Sequence, residues 1–156
     1  MPGTIAYFLT WTTYGTWLPG DARGWVSHHD GSANTPYRTG DPERETRARH
    51  AMKHRPVTLT PAMRGGVESA VRHAARGEGW HLHALNVRSN HVHVVLTAPD
   101  RAPERVMASL KAWASRHLNQ AAGPDRPGRW WTRHGSTRYI KTQASLRAAV
   151  DYVENQ

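Results

Sequence analysis

The 156-residue chain contains no cysteine, a single phenylalanine, and only 12 Asp and Glu against 21 Lys and Arg. Without thiols there is no disulfide, no thiolate nucleophile and no Cys-ligated zinc, so any metal would sit on His, carboxylate or amide groups. No apolar run comes near the ~18 residues that a membrane-spanning helix needs. The N-terminus lacks a charged region followed by an apolar run and a small-residue cleavage site, so a cytoplasmic chain is expected. Scarcity of carboxylates leaves a formal charge of +9 with all 11 His neutral, and a pI near 10.8. A pI above ~9 points towards a phosphate-rich partner. Hydrophobic residues make up 38% of the chain, and seven Trp add large apolar bodies. That suffices for one modest core, and a single domain over residues 1–156 is expected.

Residues Thr4 to Thr13 are β-branched and aromatic and predict a strand. A long polar insertion follows at about residues 15–57. Its one helical candidate starts at Asp41 as N-cap with Pro42 behind it and runs towards His54. Trp17 and Trp25 stand among Gly and Pro there, either pinning the loop or stacking on a base. Thr60-Pro61 opens a helix with Met63, Val67, Ala70, Val71 and Ala74 at helical spacing, closed by Gly77 and Gly79. Trp80 to Val87 and His91 to Thr97 predict an antiparallel hairpin. A second helix from Pro103 carries Val106, Met107, Leu110, Trp113, Ala114 and Leu118 in one stripe. Arg129 to Lys141 predicts a strand pair around His134-Gly135-Ser136. Gln143 to Gln156 predicts a last helix with Leu146, Ala149, Val150 and Val153 on one face. This order indicates an α+β domain with a mainly antiparallel sheet and packed helices.

His91-Val92-His93 is the strongest local chemical signal. In a strand, side chains at i and i+2 share a face with Cα atoms about 6.6–6.8 Å apart, so two imidazoles can converge on one divalent ion. A second pair, His81 and His83, lies on the preceding strand. The length of the turn between the strands decides whether both pairs share a face. Four His together would make a structural or hydrolytic zinc site. In the last helix, Tyr152 and Gln156 are spaced to project from one side, one turn apart. A phenol can attack a phosphodiester when a metal polarises the phosphate, and an amide can complete a His-His site with open positions.

Basic and aromatic residues interleave at Arg126, Arg129, Trp130, Trp131, Arg133, Arg138 and Lys141. Such a segment neutralises phosphates and stacks unpaired bases. One of the two Trp is expected in the core and the other free to stack. Arg44, Arg47, Arg49, Lys53, His54 and Arg55 read as a solvated helix face or a phosphate clamp. Lys111 and Arg116 read as solubility charges.

Taken together, Asn90-His91-Val92-His93, the downstream Arg-Trp-Trp-x-Arg segment and Val150-Asp151-Tyr152 on a last helix resemble the single-tyrosine HUH transposases. The closest likeness is to the REP-associated tyrosine transposases of bacteria. The opening Tyr7 to Gly20 is similar to the start of a subgroup of these proteins. The resemblance spans the chain from about Ile5. It implies a ferredoxin-like sheet with the His pair on a central strand. It implies that His91, His93 and Gln156, with Asn155 as the alternative to Gln156, hold Mg²⁺ or Mn²⁺. Tyr152 would attack the scissile phosphate of single-stranded or hairpin DNA, leaving a 5′-phosphotyrosine and a free 3′-hydroxyl. The protein would act as a monomer or homodimer. Two positions depart from the family pattern: Arg88-Ser89 stands where Met-Pro is often found, and no Asn-Pro follows the tyrosine. A non-catalytic module that binds DNA hairpins is the competing expectation.

Overall fold

In the computed structural model, residues 3–16, 18 and 38–156 are described, which leaves Trp17 and Trp25 outside the described residues. The elements run β1 (Ala6–Thr12), α1 (Pro42–His50), α2 (Pro61–Glu78), β2 (His81–Val87), β3 (His91–Thr97), α3 (Pro103–Ala122), β4 (Ser136–Ile140) and α4 (Gln143–Glu154). The strands form one four-stranded sheet in the order β2-β3-β1-β4. Every neighbouring pair is antiparallel. This is the ferredoxin-like arrangement that the order of elements predicts: each crossover skips one strand, and the skipped strand fills the gap.

Alternation along β1 separates two cores. Tyr7, Leu9 and Trp11 join Val92, Val94 and Leu96 of β3 on one face, beneath Val67 and Val71 of α2 and Val106 and Leu110 of α3. Ala6, Ala84, Val95 and Ile140 face the other way, against Ala149 and Val153 of α4. Strand β3 is buried on both faces through most of its length, as a central strand must be. Helix α2 ends as its glycines predict, with Gly79 at φ +75° in the left-handed conformation that spares it a Cβ clash. Helix α1 stops at His50, four residues before the expected His54, and buries nothing. Its Arg49 pairs with Glu45 across one turn.

The segment 129–141 differs from the expected strand pair. Ser136–Ile140 pairs with β1, and Trp131 forms a single bridge to Thr13 at the far end of the same strand. Both halves therefore lie along one edge of β1, and they do not pair with each other. Between them His134 takes φ +66°, and Gly135 lies so close to β1 that a Cβ would come within 2.5 Å of the Thr10 carbonyl oxygen. Trp113 leaves the expected stripe. It is 36% exposed, with Arg116 4.6 Å above its ring.

Candidate active site

The site forms on the face of the sheet that α4 covers. Pairing sets Thr12 opposite His91 and Thr10 opposite His93 on one side of β3. On the other side, Asn86 is opposite His93, and the Arg88 N–H bonds the His91 carbonyl. Side chains directly opposite in an antiparallel ladder share a face. Phe8, two residues before Thr10, joins the same surface.

The two imidazoles stand 4.7 Å apart between ring centres. His91 Nδ1 donates to Asn90 Oδ1 at 2.8 Å, and His93 Nδ1 meets Thr10 Oγ1 at 2.8 Å. Each ring thus keeps Nε2 without a hydrogen-bond partner among the described residues. Fixing one nitrogen to orient the other is the usual arrangement of a metal-binding imidazole. Burial, and then the neighbouring His91, lower His93 to about 4. Burial, and then Arg88, lower His91. Both rings are therefore neutral at pH 7, the form that ligates a cation.

Tyr152 projects from α4 beside this pair. Its ring lies 5.7 Å from that of His93 and 5.9 Å from that of Phe8. Phe8 in turn meets His93 edge-on at 5.5 Å. The phenol stays 52% exposed, open to a substrate. Gln156 is not on the helix as expected. Helix α4 ends at Glu154 with Asn155 as its cap, so Gln156 follows in non-helical chain. Its carbonyl oxygen accepts from Arg88 at 2.9 Å. The Asn155 Nδ2 donates to the Asp151 carbonyl at 2.7 Å, which orients its amide along the helix end.

The four-His zinc site does not form. The turn register alone would turn His81 and His83 to the opposite face from His91 and His93, but a bulge between Leu82 and Ala84 restores them. His83 Nε2 then meets Thr97 Oγ1 at 2.8 Å. Thr97 is four residues beyond His93, or ~13 Å along the strand. No group of three or more His, Asp or Glu is positioned for a metal among the described residues.

The basic segment divides. Trp130 and Trp131 are both buried, at 5% and 6% exposure, so neither indole offers a free stacking face. Their N–H groups explain why both go inside: Trp130 Nε1 donates to Asn119 Oδ1 and Trp131 Nε1 to Ser115 Oγ, each at 2.8 Å. Lys111 is no solubility charge either. Its ammonium donates to the Thr132 and His134 carbonyls at 3.0 and 2.9 Å, and burial, then Arg129, bring it to about 8. Together Lys111, Arg126, Arg129 and Arg133 line an open cleft of about 800 Å³. The cleft adjoins the site through β1, because Thr132 N–H bonds the Thr12 carbonyl and Thr13 N–H bonds the Asn90 carbonyl. Arg138 is opposite Phe8 on the edge strand and so shares the site's face, while Lys141 is exposed just beyond β4.

The model of the IS200-like transposase family matches residues 49–156, which is well over half of the chain. The chain belongs to the IS200-like transposase family. The matched span holds His91, His93, Tyr152 and the whole cleft. Among solved structures, a REP-associated tyrosine transposase bound to a REP hairpin matches with a TM-score of 0.55 and 13% identity, over 96% of this chain. The chain spans 64% of that protein's length. A Deinococcus radiodurans protein described as a transposase matches over 98% of this chain and 91% of its own, at 21% identity and a TM-score of 0.46. No curated protein matches the chain. The resemblance read from the motifs therefore holds at the level of family and fold. No helix among the described residues is long and apolar enough to cross a membrane.

One consequence of the buried imidazoles can be measured. His93 falls to about 4 when folded against an ordinary 6.5, so between those values the unfolded chain binds more protons. The stability linked to it is complete above ~6.5 and is lost as pH falls towards 4. His91 and His83 are lowered too, in the same direction. In metal-free buffer the melting temperature should fall from pH 7 to pH 4, and His93→Gln should flatten part of that fall. An equal slope in the variant would show that His93 does not titrate as its burial requires.

Proposed function

We propose that this chain is a transposase: a divalent-metal-dependent endonuclease and strand transferase acting on single-stranded DNA at hairpin repeat ends, in the cytoplasm, with Tyr152 as nucleophile. One observation carries the reading: an accessible phenol stands beside two neutral imidazoles whose Nε2 atoms are unengaged, on one face of the sheet. His91, His93 and Gln156 would hold Mg²⁺ or Mn²⁺, the amide oxygen suiting either ion and the two ring nitrogens favouring Mn²⁺. When bound, it supplies Lewis-acid polarisation of the scissile phosphate. Tyr152 Oη attacks phosphorus and loses its proton to solvent. The bond from phosphorus to the 3′ oxygen breaks, and that oxygen takes up a proton. The products are a 5′-phosphotyrosine and a free 3′-hydroxyl, and the covalent link conserves the phosphoester for a second transfer. Arg138 on the site's edge and Arg126, Arg129, Arg133 and Lys141 along the neighbouring cleft and strand would neutralise the DNA backbone. Trp130 and Trp131 serve that surface from within, as its core.

The test combines purified protein, Mg²⁺ or Mn²⁺, and single-stranded hairpins from the flanks of its own gene, labelled at either end. A protein-linked band that retains the 3′ label is expected on a denaturing gel. His91→Ala and His93→Ala should each remove it while hairpin affinity changes less than about threefold, because affinity comes mostly from phosphate contacts. Equal loss of binding and cleavage would mean that the imidazoles contact DNA directly. Hairpin retardation without cleavage would make the chain a non-catalytic binding module.

A further inference from the structure

Helix α4 is lightly held for an element that carries a nucleophile. Ala149 and Val153 along it are buried, with Leu146 and Val150 packed partly buried beside them, so few apolar side chains fix its last turn. The carbonyls of its last turn lack partners within the helix, as at any helix end. Two side chains of the β2–β3 hairpin bond carbonyls at this end, one in the last turn and one just beyond the helix cap. Asn86 Nδ2 donates to the Val153 carbonyl at 2.9 Å, and Arg88 Nη1 donates to the Gln156 carbonyl at 2.9 Å.

These donors are also the cross-strand neighbours of the imidazoles. Asn86 is opposite His93 and Arg88 opposite His91. The residues that flank the His pair on the β2 side therefore grip the end of the helix, one of them at the residue next to Tyr152. We propose that Asn86 and Arg88 are positioning residues: a two-point latch that sets where Tyr152 stands relative to His91 and His93. The proposal rests on the tyrosine reading above.

The experiment uses the full chain with Asn86→Leu and Arg88→Ala as separate variants, so that poor folding of one leaves the other informative. Two readouts are taken. Hydrogen exchange without metal or DNA should speed up at least tenfold at the amides of Tyr152 to Asn155. With Mn²⁺ and saturating labelled hairpin, the single-turnover rate of adduct formation should fall about 100-fold, the scale set by a ~1 Å misplacement. The half-saturating hairpin concentration for Asn86→Leu should stay within twofold of the wild type. Arg88→Lys, which keeps a donor and the charge, should recover most of the rate. Unchanged exchange in both variants overturns the latch. Faster exchange with an adduct rate within twofold of wild type overturns the positioning role. If the wild type forms no adduct with any hairpin, the tyrosine reading fails, and the exchange result alone judges the latch.

Discussion

Tyr152→Phe is expected to abolish the protein–DNA adduct completely while leaving the protein folded and able to bind hairpins. The substitution removes one oxygen and keeps the ring that lies against His93 and Phe8. With the side chain 52% exposed, the lost hydroxyl should cost no more than ~0.5 kcal/mol of stability, the range of ordinary surface changes. Chemistry has no such tolerance, since phenylalanine has no atom to bond to phosphorus. The measurement is a denaturing gel with 3′-labelled hairpin, beside a melting curve and a binding titration of the same preparation. Cleavage that persists without an adduct would assign the attack to a water. An adduct that persists would place the nucleophile on another side chain.

The second large effect is structural. Trp131→Ala should destabilise the fold by ~3–5 kcal/mol, the usual cost of emptying a buried aromatic site, against a total of ~5–15 kcal/mol for a domain. Trp131 packs edge-on against Trp11 at 6.1 Å, and its indole N–H is bonded inside the fold. Removing it leaves a cavity and strands Ser115. Chemical denaturation measures the loss, and hairpin affinity corrected for the folded fraction should stay within about twofold of wild type. A base-stacking platform would behave oppositely, with stability kept and ~1–3 kcal/mol of binding lost per base. That result would return the indole to the DNA interface despite its burial.

Much of the site can be read along the chain because its parts are local. His91 and His93 share a face through the two-residue period of a strand, whatever the strand's neighbours are. Tyr152 sits on the flank of a stripe that only a helix explains, and Gly79 ends α2 where a left-handed residue is needed. The absence of cysteine limits metal ligands to His, carboxylate and amide groups, and the excess of Lys and Arg points to phosphate. Family resemblance then linked motifs that lie some sixty residues apart.

The remaining features depend on which element lies beside which. Alternation reports which residues share a face but is silent about the neighbouring strand. Segment 129–141 therefore looks like a hairpin, although both halves pair with β1. Phe8, Thr10, Asn86 and Arg88 carry no motif, and they reach the site only through the register of β1 and β2 against β3. Of Trp130 and Trp131 the sequence puts only one inside, and Lys111 looks like a solvated charge on a helix. Asn119, Ser115 and two loop carbonyls, distant in sequence, hold them inside. The bulge near His83 turns a second His pair to the same face as the first yet leaves it at the other end of the strand. Periodicity is a property of one segment's backbone, whereas burial, partnership and convergence belong to pairs of segments, and those exist only once the sheet is assembled.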